Sequence, residues 1–193
     1  MDADTGAAHG SVLLTKPAPL PTATGYDGTR STLADSNDAR MPRTSAGLLM
    51  YRRTSGGIEV FLVHPGGPFW AKKDAGAWSI PKGEYLPGED PLDAARREFV
   101  EETGIVPDGE LVELGTVKQA GGKIVTAWAF EGDCDPDAIR SNTFAMEWPP
   151  RSGRQQEFPE VDRAAWFDLE RAAEKILKGQ LDFIRRLGEM LRT

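Results

Sequence analysis

The sequence predicts an α/β fold, a mixed β-sheet held between helices as an α/β/α sandwich. Three observations carry this. Runs of β-favouring residues recur in pairs across glycine-containing turns, at 46–64 and again at 110–131. One amphipathic helix, 90–104 with its caps, stands between the two pairs. Two further helical segments, 169–177 and 180–192, close the chain.

Taken in order, residues 1–44 read as a disordered or extended leader, and 45–193 as the folded domain. Ala, Asp, Thr, Gly and Pro dominate the leader, and Pro17, Pro19 and Pro21 suit an extended segment. Val12-Leu13-Leu14 is too short for a signal-peptide core, and Met41 offers an alternative start. Ala46 to Arg52 and Ile58 to His64 pair across Thr54-Ser55-Gly56-Gly57. A loop with Gly66-Gly67-Pro68 leads to Trp78-Ser79-Ile80-Pro81, which reads as a short strand ahead of Lys82-Gly83. Asp90 is a good N-cap, Pro91 suits the first helical position, and Gly104 can end the helix left-handed. Glu110 to Gln119 and Lys123 to Glu131 form a second hairpin across Gly121-Gly122. Thr143 to Trp148 is a weaker strand, and 149–159 a polar loop carrying Arg151 and Arg154. Ala164 to Phe167 is the last strand, and Asp168 caps the helix after it. Leu181, Ile184, Leu187 and Leu191 line one side of the final helix.

Composition narrows the function. The 193 residues are 39% hydrophobic and 27% charged, as in an ordinary globular domain. A net charge of −7 gives no electrostatic footing for nonspecific nucleic-acid binding. A nucleotide-type small-molecule substrate remains open, because a metal supplies positive charge locally. Cys134 is the sole cysteine, which fits a reducing, cytoplasmic setting, and two histidines cannot build a His/Cys zinc cluster. No apolar run reaches membrane-spanning length, so no membrane partner is expected, and the assembly expected is a monomer or homodimer.

The central helix carries the chemistry. At about 100° per residue Glu98, Glu101 and Glu102 share one face, while Leu92 and Phe99 point to an apolar side. Two carboxylates about 6 Å apart repel by roughly 3 kcal/mol at an effective dielectric of 20. A solvated acidic stripe is the bland explanation. Ala94 and Ala95 beside the glutamates suggest instead room for a close approach. A hard divalent cation, Mg²⁺ or else Mn²⁺, would turn that repulsion into binding, with substrate phosphates completing its shell.

The spacing Gly83-x5-Glu89-x7-Arg97-Glu98-Phe99-x-Glu101-Glu102-x-Gly104-Ile105 resembles the signature of the Nudix hydrolases, over 23 residues. The resemblance implies the α/β/α fold with its motif loop and helix. It also implies a Mg²⁺-dependent pyrophosphohydrolase, in which water attacks phosphorus in a nucleoside diphosphate linked to a further group X. Carried over by position, Glu101 and Glu102 bind metal, Glu98 is a ligand or the general base, and Glu89 and Arg97 brace them. The family often adds an acidic residue from the loop before a tryptophan-containing strand. Ahead of Trp166 that residue is Glu160, as ligand or base, with Glu157 behind it. Lys82 resembles the lysine of the dinucleoside-polyphosphate and diphosphoinositol-polyphosphate branches, and would meet a phosphate.

Outside the motif, Arg151 and Arg154 can clamp phosphate through the guanidinium fork. Trp70, Trp128 and Trp148 can stack on a base or simply pack, and His64 is a packing residue. The leading expectation is a pyrophosphohydrolase of a nucleoside diphosphate-X substrate, a dinucleoside polyphosphate among the choices. The alternatives are an RNA 5′-end pyrophosphohydrolase and a non-catalytic nucleotide-sensing module on the same scaffold.

Overall fold

The computed structural model describes residues 43–192, so the leader expected over 1–44 lies outside the described residues except for its last two positions. Thr44 already opens a strand, β1 (Thr44–Thr54), which turns into β2 (Gly57–Pro65). The remaining strands are β3 (Lys82–Glu84), β4 (Val112–Lys118), β5 (Ile124–Glu131), β6 (Thr143–Glu147), β7 (Gln155–Pro159) and β8 (Val161–Asp168). The helices are α1 (Pro91–Thr103), α2 (Leu169–Lys175) and α3 (Leu181–Met190).

The main sheet runs β4-β5-β1-β2-β8, with β3 added on β1. Its centre is β1, parallel to β5 from Thr44 to Tyr51 on one edge. On its other edge the N-terminal half takes β3 (Gly47↔Lys82) and the C-terminal half takes β2 (Tyr51↔Val60). Alternation along β1 divides the core in two. Ala46, Leu48 and Met50 join Phe61 and Val63 against Ala94, Ala95 and Phe99 of α1. Leu49 and Tyr51 join Val60 and Leu62 against Ala172 of α2 and Phe183, Ile184 and Leu187 of α3. Helices on both faces of a mixed sheet make the expected sandwich. Among the described residues no helix is long and apolar enough to cross a membrane.

Three local expectations are corrected. Trp78 to Pro81 makes only single bridges, Val63↔Ser79 and Trp78↔Ile176, and the strand lies at Lys82–Glu84 instead. Pro81 has no N–H to give a ladder; its carbonyl accepts from Leu48 N–H at 3.1 Å, and pairing then continues through Lys82. The polar loop expected over 149–159 contains β7, which pairs with β6 as a hairpin apart from the main sheet. Gln155, Gln156 and Glu157 are all exposed there, so no alternation of apolar and polar residues announces the strand. Finally, Ala94 and Ala95 are fully buried against the sheet. Their small side chains bring the helix close to the sheet, rather than clearing space for a ligand.

Candidate active site

Helix α1 starts and stops as its sequence dictates. Asp90 Oδ1 accepts from the N–H groups of Leu92 (2.8 Å) and Asp93 (3.2 Å), and Gly104 adopts φ 74° at the C-terminal end. That end is tied to the following segment: Arg140 N–H donates to Thr103 O at 2.9 Å and Asn142 N–H to Glu101 O at 3.1 Å. The buried Ala94, Ala95 and Phe99 fix the helix's roll, which turns the glutamates toward β3 and the β7–β8 junction.

Each carboxylate is held by something specific. Lys82 N–H donates to Glu102 Oε2 at 2.9 Å. Burial pushes the Glu102 carboxyl up to about 7; the Lys82 charge and the Lys82 amide pull it down, and Glu98 and Glu160 push it further up. Glu98 lies against Gly83: a Cβ built there would fall 1.9 Å from Glu98 Cδ, so the carboxylate occupies the space a side chain would need. This close approach is the physical reason for the glycine of the motif. Arg97 Nη1 donates to Glu98 at 2.5 Å and to Glu101 at 3.3 Å, while Nε and Nη2 reach Glu89 at 3.2 and 3.1 Å. Glu89 in turn accepts from Leu86 N–H at 3.2 Å, which secures the loop ahead of the helix.

Glu160 comes from the junction of β7 and β8. Its N–H donates to Asn142 O at 2.8 Å, and its carbonyl accepts from Gly66 N–H at 2.9 Å. Burial raises its carboxyl above the ordinary range, as do the charges of Glu98 and Glu101, so it shares their field. Four carboxylates from two distant parts of the chain therefore act on one another electrostatically. Beside them the Lys82 ammonium is half-buried, with no carboxylate at ion-pair distance among the described residues. Burial lowers its pKa, the Lys123 charge adds to that, and Glu102, Glu98 and Glu84 partly offset it.

The remaining expected residues fall elsewhere. Arg151 and Arg154 are exposed at the β6–β7 turn and make no contact with the helix carboxylates among the described interactions. Glu157 is exposed on β7 opposite Ala145. Trp128 packs on the α1 side of the core, Trp148 stands edge-on to Phe69, and Trp70 lies under Lys73. His64 is fully buried: its Nε2 donates to Lys73 O at 2.9 Å, and its Nδ1 lies 2.7 Å from Asp162. Gly66, Asn142 and Asp162, which seat the β7–β8 junction, carried no signal in the sequence beyond the glycine pair at 66–67.

Among the described residues no three acidic, imidazole or thiol groups stand in closed metal-binding geometry. Arg97 draws Glu98 and Glu101 to itself, and the Lys82 amide draws Glu102. The donor set nevertheless fits a hard divalent cation, being all oxygen with no nitrogen or sulfur.

A mixed sheet between helices, with a glycine strand pressed on a glutamate-bearing helix, defines a Nudix-type domain. The NUDIX domain family model matches residues 41–187, and the chain belongs to that family. Two RNA pyrophosphohydrolases are similar in sequence. That of Bartonella henselae is 34% identical over 109 residues, 48% of this chain and 57% of its own length. That of Rhizobium meliloti is 33% identical over 96 residues, 42% of this chain and 54% of its own. The match thus spans little more than half of these relatives. Among solved structures, an Ap4A hydrolase of C. elegans in a binary complex superposes with TM-score 0.56 at 24% identity, covering 77% of this chain and 98% of that one. The NUDIX domain of Shewanella oneidensis NrtR, complexed with ADP ribose, gives 0.57 at 17%, covering 81% and 93%. At these identities the superpositions show the fold.

Proposed function

We propose that the protein is a Mg²⁺-dependent pyrophosphohydrolase that cleaves a phosphoanhydride bond in a nucleoside diphosphate-X substrate. The observation that carries this is the shared electrostatic field of Glu98, Glu101, Glu102 and Glu160 beside the unpaired Lys82 ammonium, with the Lys82 N–H bonded to Glu102. Phosphoryl transfer needs charge neutralisation and positioning more than covalent chemistry, and this is a site for both. Glu98, Glu101, Glu102 and Glu160 would hold Mg²⁺, or Mn²⁺ in its place; bound there, the cation offsets the charge on the phosphate oxygens. Lys82 anchors a phosphate through its ammonium. Glu160 accepts the proton of the attacking water as its oxygen bonds to phosphorus and the bridging oxygen departs; burial and the charges of Glu98 and Glu101 raise its affinity for that proton. Arg97 and Glu89 keep the helix glutamates aligned.

The similarity to RNA pyrophosphohydrolases favours a second reading, in which X is the body of an RNA 5′ end. The net charge of −7 weighs against long RNA. Release of phosphate or pyrophosphate from nucleoside triphosphates and a 5′-triphosphorylated RNA, and of mononucleotides from dinucleoside polyphosphates, with and without Mg²⁺, tests both. No metal-dependent release from any of them would return the domain to a sensing role. Within that assay Glu160→Gln is expected to lower kcat about 100-fold or more, the range for a lost general base. A variant within about threefold of wild type, under 1 kcal/mol of barrier, would remove Glu160 from the mechanism.

A further inference from the structure

Building on that hydrolytic reading, we propose that loop 66–73 and the β6–β7 hairpin form a stacking site for a nucleobase lying beyond the scissile phosphates, with the neighbouring cations following the phosphate chain. Phe69 is 57% exposed, and its ring stands edge-on to Trp148 with centroids 5.6 Å apart. Trp148 follows β6, where its N–H donates to Arg154 O at 2.9 Å. Beside Phe69, the Trp70 ring carries the Lys73 ammonium 4.3 Å from its centroid. Gly67 backs onto the hairpin as well, for a Cβ there would lie 3.2 Å from Phe144 Cζ. Neither core cluster includes Phe69 or Trp148, so burial does not account for them. Lys72, Arg151 and Arg154 have no ion pair among the described residues, in a chain whose net charge is −7. Flat rings interleaved with unpaired cations suit a single-stranded nucleotide: the rings take any base face, and the cations take phosphate.

Placement makes this a subsite of the reaction centre. Both arms are rooted at Glu160, whose carbonyl takes Gly66 N–H and whose N–H goes to Asn142 O. Five residues of strand lead from Glu160 back to Gln155, the partner of Glu147. On the other arm Phe69 is three residues from Gly66, so at no more than about 3.6 Å per residue its backbone stands within about 11 Å of the Gly66 amide that bonds Glu160. Such a reach suits a base separated from the cleaved bond by several phosphates or by a nucleotide or two. Two sources share that chemistry, a dinucleoside polyphosphate and a short 5′-phosphorylated RNA end.

The test compares wild type, Phe69→Ala and Trp148→Ala on diadenosine tetraphosphate, ATP and a 5′-triphosphorylated trinucleotide, with melting temperatures to confirm folding. Both variants are expected to raise KM for a substrate with a distal base about tenfold relative to KM for ATP, with kcat little changed. Phe69→Trp restores the wild-type ratio. Leu181→Ala, an exposed apolar side chain on α3, is the control and leaves every constant unchanged. A rise confined to the tetraphosphate identifies the dinucleotide as the source, and one confined to the trinucleotide identifies RNA. Equal effects on all three substrates, or none, overturn the proposal. Should wild type cleave nothing, the hydrolytic reading fails while the subsite is still tested by metal-free titration with diadenosine tetraphosphate. Quenching of tryptophan fluorescence that Phe69→Ala weakens upholds the subsite; no quenching, or quenching unaltered by Phe69→Ala, overturns it.

Discussion

Glu101→Gln and Glu102→Gln each lower kcat on the order of 10³-fold, about 4 kcal/mol of barrier, in protein that remains folded. Both changes keep shape and remove one negative charge from a crowded face. At Glu102 the amide oxygen can still accept the Lys82 N–H, so the local scaffold survives. Stability moves the other way. The folded state holds the Glu102 carboxyl near 7, above its ordinary 4.5, so it binds this proton more tightly than the unfolded chain does. The stability it contributes is therefore full below about pH 4.5 and lost as the pH rises through about 7. Without metal, wild type loses melting temperature between pH 5 and pH 8, while Glu102→Gln loses less. Turnover at saturating Mg²⁺, paired with metal-free melting curves at the two pH values, checks this. Near-normal activity in either variant sinks the assignment.

Gly83→Ala and Gly66→Ala separate positioning from folding. At Gly83 the three atoms nearest the new methyl all belong to the end of the Glu98 side chain, with Oε2 at 1.8 Å. That side chain can swing away, so the fold persists and the carboxylate leaves its place. At Gly66 the methyl meets the backbone itself, 2.0 Å from Pro159 O, beside the bond that seats Glu160. The strands must part there, at a typical overpacking cost of about 1–3 kcal/mol. For a domain of this size that is roughly 3–10 °C of melting temperature. The expected pattern is loss of activity in both variants and a lowered melting temperature only in Gly66→Ala. Activity retained by Gly83→Ala would show that Glu98 works from another position.

What the sequence disclosed follows from how local each signal is. Asp90, Pro91 and Gly104 state a helix within 15 residues, and the same helix carries the motif carboxylates, so the fold and the candidate site were legible in one stretch. Glu160 entered as a candidate only through the family resemblance. Nothing in Phe158-Pro159-Glu160 says that Asn142 and Gly66 will seat it opposite Glu98. The hairpin strand β7 was hidden because its polar residues are exposed on both faces. The alanines of α1 misled because small residues beside charged ones look like open space. Only the packing partners Ala46, Leu48 and Phe61 show that the space is filled.

The pairing of β2 with β8 joins residues about a hundred positions apart, Phe61 opposite Trp166. Closing so long a loop costs entropy that only the completed edge returns. Since Glu160 rides immediately ahead of β8, the fourth carboxylate takes its place only once that long loop has closed. A chain that stops short of β8 can form the helix glutamates while the carboxylate proposed as proton acceptor is still unplaced.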